Sequence, residues 1–222
     1  MSRVPRSWPE RIACVAAFAI AASSCFRGNL PPLELYRLSL PDTSLLQTPV
    51  AMPGAPLFAG SIAIAPYEAP GVYGNRNVVY RIGDTQYGTY PSREWALPVS
   101  NMLGMITEGV LRRAPLSTGE ALYDPPSYHS HELVWRGVVR ELEEVDRGRN
   151  VFASVRLEVR LVRAIDDSLL WTGIARRERS VPHPTMPEIV STLSSLAAEA
   201  VQSLADQAHA ALTRSAASAA RR

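Results

Sequence analysis

Residues 151–161 read Val-Phe-Ala-Ser-Val-Arg-Leu-Glu-Val-Arg-Leu. Apolar side chains fall at Val151, Ala153, Val155, Leu157, Val159 and Leu161, with mostly polar ones between them. A period of two is the repeat of a β-strand, whose successive side chains point to opposite faces. One face of this strand is therefore buried and the other wet. Residues 133–142 precede it, joined by Asp146-Arg147-Gly148-Arg149-Asn150, and residues 169–181 follow it after Asp166-Asp167. Three consecutive strands with short, turn-forming links predict an antiparallel meander.

A sheet with one apolar face needs a layer to cover it. Pro182-His183-Pro184 ends the meander, and Thr185-Met186-Pro187-Glu188 resembles a capping box. Beyond it Ile189, Leu193, Leu196, Ala200, Leu204, Ala208 and Ala211 follow helical spacing, so a long Ala-rich helix should lay its stripe on the sheet. Residues 214–222 are small and basic and read as a disordered tail. Upstream, residues 33–40, 61–65, 77–82 and 86–90 read as strands, and residues 41–60, with Pro41, Pro49, Pro53 and Pro56, as a loop. Ser92 opens an expected helix to about Arg113, with Pro98 early in it and Met102, Leu103, Ile106, Val110 and Leu111 on its apolar side. Residues 116–123 read as a short strand. The expected fold class is α+β: a largely antiparallel sheet with two main helices packed on one face, in one domain over residues 33–213.

The chain has 222 residues and a net charge of +2, and all 23 of its basic residues are Arg. Without Lys there is no Walker-type phosphate loop and no Schiff-base chemistry. Two cysteines, Cys14 and Cys25, leave no Cys-built zinc site or disulfide framework in the body of the chain. No Gly-x-Ser-x-Gly elbow, His-Glu-x-x-His pair or dinucleotide glycine fingerprint is present.

Residues 1–24 read as an export signal. Arg3, Arg6 and Arg11 precede an uncharged run over residues 12–22, too short to span a bilayer, which takes about 20 residues. The small residues Ala22-Ser23-Ser24 stand before Cys25, and this exit resembles a bacterial lipobox, with Ala22 where Leu is preferred. That resemblance implies lipidation of the Cys25 thiol by a diacylglycerol and cleavage before it. Residues 25–32 would then be a lipidated tether. Each buried methylene contributes about 0.8 kcal/mol, so two or more acyl chains anchor stably. Phe26, not Asp, follows the cysteine, which by enterobacteria-like sorting implies the outer membrane, facing the periplasm. Residues 25–222 hold 20 basic and 20 acidic residues. Such a neutral chain carries no overall basic footprint for nucleic acid or for anionic lipid.

Several segments resemble the ABC-type transport auxiliary lipoproteins, the PqiC/YmbA-like family. They are Leu35-Tyr36-Arg37-Leu38, Ile62-Ala63-Ile64-Ala65-Pro66, Pro70-Gly71-Val72-Tyr73, Val78-Val79-Tyr80-Arg81, Tyr90-Pro91-Ser92-Arg93-Glu94-Trp95-Ala96 and Leu169-Leu170-Trp171-Thr172-Gly173. The Arg-Trp lead-in to the first helix is the family's characteristic feature, and here Glu94 separates Arg93 from Trp95. The resemblance implies a noncatalytic lipoprotein without a cofactor. It would serve an MCE-domain periplasmic protein and its ABC permease/ATPase complex, which move phospholipids or other hydrophobic molecules. Self-association into a homo-oligomer stays open. The rival role is an envelope assembly lipoprotein for an outer-membrane protein or polysaccharide machine, and a periplasmic hydrolase is a more distant one.

Trp95, Tyr80 and Arg93 are the candidate partner or lipid contacts, although an aromatic at a helix start is more often core packing. His129 and His131 would share a face of a strand, but with no clear third ligand they read as a solvated strand start. Glu141, Glu143 and Glu144 form an acidic cluster beside a turn, where carboxylates are usually solvated.

Overall fold

A computed structural model describes residues 31–40, 58, 60–113 and 116–219. The chain divides into two units, Met1–Pro32 and Leu33–Arg222, and all the described strands and helices belong to the second. The expected signal, the lipidation site Cys25 and most of the proline-rich loop lie outside the described residues.

The meander is present, and its strands are the longest among the described residues. Strand β6 (Leu133–Arg147) pairs along its whole length with β7 (Asn150–Arg163), which pairs in turn with β8 (Leu169–Ser180), both antiparallel. The hairpin closes Arg147 on Asn150 through two residues. Gly148, the first of them, takes φ +73, a value suited to a glycine in the primed turns that match strand twist. Ala153, Val155, Leu157, Val159 and Leu161 are all buried, while Arg156 and Arg160 are exposed, as the alternation requires.

Strand β6 itself departs from strict alternation. A period of two carried through Val139, Arg140, Glu141 and Leu142 would turn Leu142 to the wet face. The register shifts between Val139 and Glu141, so that Arg140 is the extra residue of a bulge. Leu142 returns to the core opposite Val155, and Glu141 faces Arg156 instead.

The other edge of β6 is shared. Strand β2 (Ile62–Ile64) runs parallel to its first residues and β3 (Asn77–Ile82) parallel to its last. A single bridge, Glu68 with Val138, lies between them. β2 also pairs with β5 (Ala121–Tyr123), and all three of its residues are buried, as expected of a strand covered on both sides. β3 pairs with β4 (Gln86–Trp95), and β4 with β1 (Glu34–Tyr36) at the sheet edge. Over the described residues the result is an α+β fold: a mixed eight-stranded sheet whose longest ladders are antiparallel, with two α-helices.

Helices α1 (Val99–Leu111) and α2 (Met186–Ala219) pack on each other and on the sheet. They close one core that contains Leu103, Leu133, Trp135, Leu157, Leu193 and Leu204. Burying each such leucine contributes about 1.5–3 kcal/mol relative to exposure. Small Ala197, Ala200, Ala205 and Ala208 let α2 approach the strands closely.

Two expectations change. The first helix starts at Val99 rather than Ser92, because the residues through Trp95 pair with β1 and continue β4. Here the tertiary pairing overrides the local pattern. The last helix runs to Ala219, through most of the stretch read as a disordered tail. Ala is the strongest helix former, and no Pro or Gly stops it there. His209 lies well inside this helix and is buried.

Candidate functional site

Strand β4 should be poorly formed around Pro91, which cannot donate to a ladder. The structure places Pro91 in a bulge: Val79 faces Thr89 and Asn77 faces Glu94, so residues 90–93 oppose Val78 alone. The Asn77 amide donates to the Tyr90 carbonyl at 3.0 Å and ties the bulge down. In a regular strand Tyr90 and Arg93, three apart, would point to opposite faces. The bulge brings them together, with the Arg93 guanidinium carbon 4.6 Å from the Tyr90 ring centroid. This is cation–π range.

Tyr80 joins them from β3, its ring centroid 5.0 Å from that of Tyr90. Gly88 lies directly opposite Tyr80, and a Cβ there would come within 2.3 Å of the Tyr80 ring. The absence of that Cβ lets the ring lie across β4. The Tyr90 hydroxyl donates to Glu144 Oε2 at 2.8 Å, and Arg93 also reaches Glu34 of β1 at 3.5 Å. Two of the three sequence candidates, Tyr80 and Arg93, thus share one half-buried cluster. The third does not join it. Trp95 is 1% exposed and packs in the core, held by backbone bonds to Arg76 and by the Arg76 side chain on its carbonyl.

Neighbouring Glu143 points to the other side of β6. Its Oε1 accepts from Arg81 Nε at 2.6 Å and its Oε2 from the Tyr73 hydroxyl at 2.5 Å. Tyr73 stands on a 3-10 turn (Gly71–Gly74) between β2 and β3. Glu143 is 0% exposed and Glu144 8%. The acidic cluster read as solvated is therefore buried at two of its three members, and their Tyr and Arg partners make that burial tolerable. The sequence reading quotes Tyr73, Tyr90 and Arg81 only within family-like segments and treats both glutamates as solvated, so it misses their pairing. The one available hint was a Glu-Glu pair inside the otherwise apolar Leu142–Val145 run.

The electrostatics are those of a clasp. Burial raises the Glu144 carboxyl pKa, against the opposing pull of the Tyr90 hydroxyl and Arg93. Burial, then the adjacent glutamate, pushes the Tyr73 and Tyr90 hydroxyls far up, so both stay protonated donors at neutral pH. Glu143 and Glu144 face opposite sides and are each engaged by a tyrosine, so they cannot act together on one substrate. What the cluster does is bind β3, β4 and the 3-10 turn to the end of β6.

His129 and His131 lie in a loop rather than a strand. His129 Nδ1 is 2.9 Å from the Ala164 carbonyl and His131 Nδ1 2.6 Å from Ser61 Oγ. Among the described residues no group of three or more His, Cys, Asp or Glu is arranged to hold a metal ion. Among the same residues no helix is long and apolar enough to cross a membrane.

No family model and no curated protein matches the sequence. Solved structures do match. A DUF330 protein from Xanthomonas campestris is 13% identical, with a TM-score of 0.62 over 82% of this chain and 99% of its own. A second, uncharacterized protein is 15% identical, with a TM-score of 0.60 over 79% of this chain and 98% of its own. The fold of this chain is thus similar, over nearly the full length of the relative, to that of a structure from the DUF330, PqiC/YmbA-like group.

Proposed function

We propose that the protein is a lipid-anchored envelope protein acting, without catalysis of its own, as a docking component of an MCE-type ABC transport system. The cargo class is phospholipids or other hydrophobic molecules. The observation that carries this is the fold shared across 99% of the DUF330 chain. The lipobox-like Ala22-Ser23-Ser24-Cys25 exit supports the anchor, and Phe26 supports the outer membrane, facing the periplasm. The partners would be an MCE-domain periplasmic protein and its permease and ATPase.

Replacing Cys25 by Ala should abolish acylation, read by mass spectrometry, and move the protein from the membrane to the soluble fraction. Unchanged fractionation would refute the anchor. The wild-type chain, purified from its own membranes, should bring down an MCE-domain protein; purification with an outer-membrane assembly machine instead would refute the transport role.

A further inference from the structure

The sequence from residue 25 onward is neutral overall, but the fold sorts its charges. On the outer side of the meander, away from the helices, Arg136 faces Arg160 across β6 and β7, and Arg156 faces Arg176 across β7 and β8. Like charges directly opposite one another in a sheet are destabilising. Arg140 and Arg147 complete the set.

Three glutamates lie among these six arginines. Glu158 holds Arg140 at 2.7 Å and Arg160 at 3.9 Å. Glu141 holds Arg156 at 3.7 Å and Arg176 at 3.2 Å, and Glu178 holds Arg147 at 2.7 Å. Asp167, 58% exposed, also pairs with Arg136 at 2.7 Å; among the remaining charges the two signs are not equally presented. The six arginine side chains are 39–63% exposed and the three glutamates 15–25%. The carboxylates orient the guanidinium groups: Arg140 and Arg147 give two donors each to Glu158 and Glu178, whereas Arg156, Arg160 and Arg176 stand 3.2–3.9 Å from theirs. Midway along the edge strand β8 stands Ile174, 50% exposed, opposite Glu158.

We propose that this outer face of β6–β7–β8 docks a carboxylate-rich protein surface. Planar guanidinium forks match carboxylates bidentately, and Arg beside an exposed apolar residue suits a protein interface, where Arg is enriched. A bilayer fits less well: neighbouring strands rotate by about 20–25°, so a three-stranded face cannot lay all six arginines on a plane. The chain also reaches the domain at Leu33 beside β1, and across β4, β3, β6 and β7 that strand and β8 are opposite edges. This docking face deepens the role proposed above and rests on it only for the existence of a periplasmic partner.

The test uses the full-length lipoprotein in detergent and a fluorescein-labelled peptide alternating Glu with Thr, read by anisotropy. The variant combining Arg136→Gln, Arg156→Gln and Arg160→Gln strands no carboxylate in the core. Glu158 keeps Arg140 and Glu141 keeps Arg176. It should melt no lower than wild type, yet bind the peptide about tenfold more weakly, three exposed charge pairs being lost. A control combining Arg37→Gln, Arg113→Gln and Arg214→Gln, the same charge change elsewhere, should bind as wild type does. Wild-type binding should weaken as salt rises from roughly 50 to 300 mM. Equal weakening in both variants, or none in either, overturns the proposal. So does an effect of the face variant confined to the preference for phosphatidylglycerol over phosphatidylcholine vesicles, or confined to self-association in sedimentation. Peptide binding is measured on purified protein, so its failure is separable from failure of the Cys25→Ala fractionation.

Discussion

Glu143→Gln is the sharpest perturbation of this fold. The side chain keeps its size and can still accept from the Tyr73 hydroxyl, but it can no longer neutralise Arg81. Arg81 is 7% exposed at its side chain and makes a 2.6 Å contact to Glu143. Breaking a buried ion pair by removing one partner costs about 3–5 kcal/mol, mainly because the other charge is left uncompensated. Arg81 would retain the Gly83 carbonyl at 2.9 Å and the exposed Asp84 carboxylate at 3.7 Å, which sets the expected loss at the lower end, about 3 kcal/mol. For a chain of this size each kcal/mol moves the melting temperature by roughly 2–4 °C, so Glu143→Gln should melt about 6–12 °C below wild type. The assay is thermal unfolding by circular dichroism at neutral pH and fixed protein concentration. A second variant, combining Glu143→Leu with Arg81→Met in a Tyr73→Phe background, removes both charges, keeps the volume and leaves no Tyr73 hydroxyl without its acceptor. It should recover most of the loss, since apolar replacement of a buried pair is often neutral. A Glu143→Gln melt within about 2 °C of wild type, or a double variant that loses the sum of its singles, would refute the reasoning.

Glu144→Gln should behave oppositely to its neighbour. Burial raises the folded-state pKa of Glu144, so the contribution of this group to stability is fully present below the unfolded value of 4.5 and is lost as pH rises through the folded value. The variant should therefore equal or exceed wild-type stability at pH 7, and that gain should vanish in acid; a clear loss at pH 7 would contradict it. Arg147 donates to both oxygens of Glu178 and holds its pKa below the ordinary 4.5, giving stability that is present above 4.5 and lost as pH falls through the depressed value. Arg147→Gln should accordingly raise the Glu178 pKa in an NMR titration and cost less than about 1 kcal/mol, the pair being partly exposed. Gly88→Ala would put a methyl within 2.3 Å of the Tyr80 ring, so the ring must swing away from Tyr90. Near-ultraviolet circular dichroism should report that loss of tyrosine coupling, and an unchanged spectrum would show that the rings do not depend on the glycine.

How much of the fold and the cluster is legible in the sequence depends on how local each signal is. The β7 alternation is a property of consecutive residues, and Ala153, Val155, Leu157, Val159 and Leu161 are buried as the spacing requires, although Ser154 on the other face is buried too. The Asn77–Ile82 strand and the apolar stripe of the last helix are readable for the same reason. The two bulges are not. A register shift at Arg140 or around Pro91 is chosen by the partner strand, which period counting along one strand does not include. The same limit misplaces the first helix: residues 92–95 carry a helical lead-in pattern, yet a pairing with residues 34–36 claims residues 93–95.

By itself the sequence determined the α+β layering, the strands of the meander and the neutral charge balance of residues 25–222, because each is a sum or a short-range repeat. Only the tertiary structure decided that Glu143 meets Arg81 across 62 positions, that Tyr90 and Arg93 stack, and that six arginines share one face. Those outcomes depend on which strands lie side by side and in what register. A charge total or a period of two is blind to both.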